Sequence, residues 1–64
     1  MDNFYKALAA ESLAEALQLL DLDNQTPEDI EGLAFSYGFH SEVITQREED
    51  LTKACLDKLE ELEA

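Results

Sequence analysis

One stretch constrains this chain more than any other. Thr26-Pro27-Glu28-Asp29-Ile30-Glu31-Gly32-Leu33-Ala34-Phe35-Ser36-Tyr37-Gly38-Phe39 carries both the start and the stop signals of a single short helix. Thr26 is suited to cap the first free amides, Pro27 stands where a missing N–H costs nothing, and Glu28 and Asp29 meet the positive end of the helix dipole. At the other end Gly38 suits the left-handed position just past a helix, with Phe39 folding back on Leu33 and Ala34 as the apolar clasp of that motif. Ile30, Leu33, Ala34 and Tyr37 fall on one face at helical spacing. The rest of the chain must therefore supply a surface for that face.

The flanking sequence is helical as well. From Asn3 to about Asp21 the chain is rich in Ala and Leu, both strong helix formers. The apolar stripe steps from Phe4 and Leu8 to Leu13, Leu17 and Leu20, and the five-residue step after Leu8 coincides with a capping-box pattern, Ser12-Leu13-Ala14-Glu15. Two short helices or one bent helix are expected there, followed by a polar connection from Asp21 to Gln25. A second capping box, Thr45-Gln46-Arg47-Glu48, opens a final helix whose stripe is Leu51, Cys55, Leu59 and Leu62. No strand-like alternation of useful length occurs. The fold class expected is all-α, a small bundle of three or four short helices forming one domain over residues 1–64. Its expected core is Phe4, Leu8, Leu13, Leu17, Leu20, Ile30, Leu33, Ala34, Tyr37, Phe39, Ile44, Leu51, Cys55 and Leu59.

Length and charge narrow the function. A chain of 64 residues is near the size at which only about 60% of the unfolded surface is buried, so a deep catalytic cleft is not expected. No apolar run reaches the roughly 18 residues of a membrane span, and no basic-then-apolar segment marks the N-terminus, so the cytoplasm is the expected location. Sixteen acidic against four basic residues give a formal charge of -12. Nucleic-acid backbones and anionic membranes carry the same sign and should repel the chain, so a charged partner should be a protein with a basic surface.

The constellations that carry chemistry are weak. Asp21 and Asp23 are carboxylates at the first and third positions of a calcium loop, but its sixth and twelfth positions are Thr26 and Gly32 in place of Gly and Glu. His40 and Cys55 are the single members of their types, too few for an internal disulfide or for a zinc site built from such ligands alone. Cys55 lies on an apolar stripe and reads as a buried, inert thiol. No catalytic residue, metal ligand or cofactor is expected, and the chain reads as a binding module, not an enzyme.

The binding candidates lie in the tail. Glu60, Glu61 and Glu63 crowd the negative end of the last helix, opposed there only by Lys58, so that end should fray when alone. Leu56, Leu59 and Leu62 continue an apolar surface beside those acids. Leu56, Leu59, Leu62, Glu60 and Glu61 are therefore the expected protein-binding residues, facing a basic partner or a second copy of the chain in a homodimer.

Phe4, Leu13, Leu17, Thr26-Pro27-Glu28-Asp29-Ile30, Leu33-Ala34 and Tyr37-Gly38-Phe39 together resemble the Nif-eleven-like family over about the first fifty residues. Many members of that family are leader peptides of ribosomally made natural products, bound by a modifying enzyme and removed by a peptidase, often after a double glycine. Leu59-Glu60-Glu61-Leu62-Glu63 is similar to the segment that precedes such a cleavage site. The chain has no double glycine and no Cys/Ser/Thr-rich core peptide, so the resemblance implies either a leader without its core or a stand-alone relative. The alternative that the charge suggests is an acidic inhibitor or regulator, for instance phage-encoded, occupying a basic nucleic-acid-binding surface of another protein.

Overall fold

A computed structural model describes the backbone of residues 2–39 and 45–63, and the side chains of these except Asp2 and Phe39. The expectations placed on His40, Ser41 and Ile44, and on the Phe39 side chain as a clasp, lie outside the described residues. The described residues form four α-helices: α1 (Asp2–Ala9), α2 (Leu13–Leu20), α3 (Pro27–Phe39) and α4 (Gln46–Glu63), with a 3₁₀ turn at Leu22–Asn24. No strand occurs among the described residues, and the protein is a small all-α bundle.

Each helix start expected from the sequence is built from the residues that signalled it. The Glu15 N–H donates to Ser12 Oγ at 3.1 Å, and Glu15 Oε2 accepts in return from the Glu11 N–H at 3.0 Å. The Asp29 N–H donates to Thr26 Oγ1 at 3.2 Å, and the helix begins at Pro27. At α4 the box is reciprocal: the Glu48 N–H donates to Thr45 Oγ1 at 3.2 Å and the Thr45 N–H to Glu48 Oε1 at 3.0 Å. A cap of this kind is worth about 1 kcal/mol.

Two antiparallel hairpins result. Ala10, Glu11 and Ser12 separate α1 from α2, and Asn3 Nδ2 donates to the Leu19 carbonyl at 3.0 Å across that pair. In the second hairpin Gly38 of α3 lies against Thr52 of α4, whereas Ile30 and Ala34 cluster with Cys55 and Leu59. The partners thus rise along α4 as they fall along α3.

Tyr37 joins the hairpins from the inside. It is fully buried, stacks on Phe4 with ring centroids 4.2 Å apart and planes 8° from parallel, and donates its hydroxyl to the Phe4 carbonyl at 2.9 Å. Such an aromatic pair adds about 0.5–1.5 kcal/mol beyond the area it buries. Around it lie Ala7, Ala16, Leu20 and Leu51, with Phe4, Leu8, Leu13, Leu17 and Leu33 partly buried at the edge. Arg47 ties the same hairpins from the rim, its Nη1 donating to the carbonyls of Ala7 and Ala10, each at 2.9 Å.

One sequence expectation needs correction. Gly38 is not a left-handed cap: α3 continues through Phe39, and neither glycine has positive φ. The reversal of φ falls instead at Asp21, which ends α2 at φ 50° with its N–H donating to the Leu17 carbonyl at 3.0 Å. Asp tolerates this conformation better than most residues because its short side chain bonds locally. Here Asp21 Oδ2 accepts from Asn24 Nδ2 at 2.8 Å. The connection expected from Asp21 to Gln25 is accordingly a 3₁₀ turn that returns Leu22 to the core edge.

A methyl group at Gly38 would meet Thr52 Cγ2 at 3.5 Å, an ordinary contact, and one at Gly32 would meet nothing within 4 Å. Gly32→Ala is therefore expected to raise stability by about 0.5–1 kcal/mol through helix propensity, and Gly38→Ala by no more than that. Urea denaturation checks both. Loss of more than about 1 kcal/mol in Gly38→Ala would return that glycine to a strained cap.

Candidate functional site

The five tail residues do not form one free surface. Leu56 is 54% exposed and Leu62 47%, but Leu59, which lies between them around the helix, packs against the Ile30, Ala34 and Cys55 cluster. The i, i+3, i+6 ridge is thus anchored in the core at its middle and open at both ends. Leu51 and Cys55 on the same helix are fully buried, so the stripe that faces the core leaves the bundle at Leu62. Glu60 and Glu61 are exposed, and α4 has no basic residue in its last turn. Because Leu59 supports the core, a double change of Leu59 and Leu62 would mix folding with binding; Leu56 and Leu62 are the separable pair.

Sequence reasoning did not bring out the neighbouring groove. An open depression of about 600 Å³ runs between the end of α2 and the second half of α4. Leu17, Gln18, Asp21, Leu22 and Asp23 form one wall; Ala54, Asp57, Lys58 and Glu61 form the other. The four α4 residues stand at i, i+3, i+4 and i+7, one helix face. Lys58 Nζ spans the groove to Asp23 Oδ1 at 2.6 Å and reaches Glu61 Oε1 at 3.6 Å. Its hydrogen bond to Asp23 holds the ammonium above the usual lysine range and the Asp23 carboxyl below the usual carboxylate range. Lys53 lies 3.4 Å from Asp57 on the exposed side.

The buried titratable groups are structural. Desolvation pushes the Cys55 thiol up to about 11 and the Tyr37 hydroxyl up to about 12, the latter also through repulsion from a Cys55 thiolate. A thiol held protonated is a poor nucleophile and a poor metal ligand. Among the described residues no group of three or more His, Cys, Asp and Glu side chains is placed to hold a metal ion, and no helix is long and apolar enough to cross a membrane. What the arrangement offers chemically is exposed apolar side chains, Tyr5 and Phe35 on the earlier helices as well as Leu56 and Leu62 on α4, and clustered carboxylate. The chain matches no protein-family profile, and comparison with curated proteins and with solved structures gives no significant match.

Burial of Cys55 has a pH signature. The unfolded chain releases this proton near 9.0 and the folded chain holds it to about 11, so stability should fall as pH rises through that interval. Urea denaturation of the parent and of Cys55→Ala, just below pH 9 and at about 11, isolates the effect. The parent should lose more stability than the variant over this range. Equal losses would show that the thiol titrates as an exposed one.

Proposed function

We propose that this chain is an acidic helical recognition module that binds another protein through a basic surface and catalyses no reaction. The observation that carries the reading is the second half of α4, where Leu56 and Leu62 stay exposed among Asp57, Glu60, Glu61 and Glu63. Glu60, Glu61 and Glu63 sit at the dipole end that favours cations, where Lys58 near Glu61 compensates only in part, and a partner's Lys and Arg side chains would complete the compensation. The more specific form of the proposal is a leader-type module docked on a natural-product modifying enzyme, which rests on the Nif-eleven-like resemblance. The whole-surface charge of -12 favours a second form, an inhibitor that occupies a nucleic-acid-binding surface of its target.

Capture from the native host with the parent, with Leu56→Ala/Leu62→Ala and with Glu60→Lys/Glu61→Lys tests the reading. A partner of basic surface should bind the parent and be lost with both variants, the second loss shrinking as salt rises. A partner held equally by all three would contradict it. Competition with nucleic acid for the captured partner separates the inhibitor form from the leader form.

A further inference from the structure

The groove between α2 and α4 has two walls of different origin. The left-handed Asp21 stops α2, and the 3₁₀ turn carries Leu22 inward and Asp23 outward, while α4 runs on past that point to Glu63. The depression left over has apolar members, Leu17, Leu22 and Ala54, and a rim of four carboxylates, Asp21, Asp23, Asp57 and Glu61. Among the described residues Lys58 is the one cation lining it, leaving a balance of three negative charges there. Its side chain is only 17% exposed, whereas the Asp23 carboxylate it holds is 85% exposed. Leu62, one turn beyond Lys58 on α4, is exposed outside the lining.

We infer that this groove receives a basic amphipathic helix of the partner protein, whose Lys or Arg side chains join Lys58 among the carboxylates while its apolar side chains rest on Leu17, Leu22 and Ala54. The inference rests on the recognition reading above and names where the partner lies and what it presents. Charge selects this occupant. A second copy of the chain would bring another formal charge of -12 against a rim already negative, and nucleic acid is repelled in the same way. A small polyamine would satisfy the rim but leave the leucines bare. A helix with both kinds of side chain satisfies the two together, the recurring helix-in-groove mode.

The probe is a blocked Leu/Lys amphipathic peptide, with its Leu/Glu counterpart, titrated into the ¹⁵N-labelled full chain. The groove variant is Asp21→Asn/Asp57→Asn/Glu61→Gln, in which Asn keeps both the left-handed tolerance and the acceptor for Asn24. The charge-matched control is Glu28→Gln/Glu31→Gln/Glu49→Gln, on exposed helix surface away from the groove lining. The Leu/Lys peptide should shift the amides of Leu17, Gln18, Leu22, Ala54 and Asp57, and the Leu/Glu peptide should not. The groove variant should raise Kd about tenfold, the sum of three ion pairs worth some tenths of a kcal/mol each, and the control about twofold at most. Equal weakening in both variants would reduce the effect to net charge and overturn the inference. Shifts confined to Leu56, Glu60 and Glu63 would overturn it too, while leaving the recognition reading in place. Failure of the peptide to bind overturns it as well; the host capture with Leu56→Ala/Leu62→Ala then decides the recognition reading separately.

Discussion

Arg47 is the contact on which the arrangement of the two hairpins depends. Its guanidinium reaches from the first turn of α4 to the carbonyls of Ala7 and Ala10, forty and thirty-seven residues away. Those carbonyls stand in the last turn of α1 and just past it, where the dipole favours a cation and the Ala7 carbonyl has otherwise only a long 3.4 Å bond from the Ala10 N–H. One side chain thus closes α1 and fixes α4 against it. Hydrogen bonds to a charged group contribute about 1.5–3 kcal/mol, a large share for a chain this small. Tyr37 makes the complementary tie from the core through the Phe4 ring and carbonyl. The groove has one wall from each hairpin, so its shape follows from these two ties.

The scarcity of cations gives their placement weight. Of four basic residues, Arg47 closes α1, Lys58 links α4 to the turn after α2, Lys53 pairs with Asp57 along α4, and Lys6 lies in the last turn of α1. Each stands where the fold gains from a positive charge. Among the described acids Glu48 is buried as the α4 cap and Asp50 is half-buried; the others are exposed, above all on the second half of α4 and the groove rim, where they are available to an external cation.

How much of this was legible follows from the range of each signal. Ser12, Thr26 and Thr45 gave the starts of α2, α3 and α4 because a cap is a contact over three residues, and the inward face Ile30, Ala34 and Tyr37 followed from helical spacing. Gly38 misled because glycine serves two purposes, positive φ and close helix approach; here it lies against Thr52 inside a helix. Asp21 took the left-handed position with nothing in its composition to separate it from the acids around it. Ala7 and Ala16, fully buried, were hidden by small size. Arg47 and the groove wall depend on residues distant in sequence, which no local pattern brings together. Of the binding candidates, Leu56 and Leu62 are exposed, whereas Leu59 packs on the core because α4 lies along the start of α3.

Arg47 holds the first hairpin in place, and hydrogen exchange of Arg47→Met tests this most directly. Met keeps much of the apolar stem but cannot donate to the Ala7 and Ala10 carbonyls. Amides of α1 should exchange at least about tenfold faster than in the parent, the effect of losing about 1.4 kcal/mol, while protection within α3 and α4 falls much less. Unchanged exchange in α1, or an equal rise across all four helices, would contradict the account.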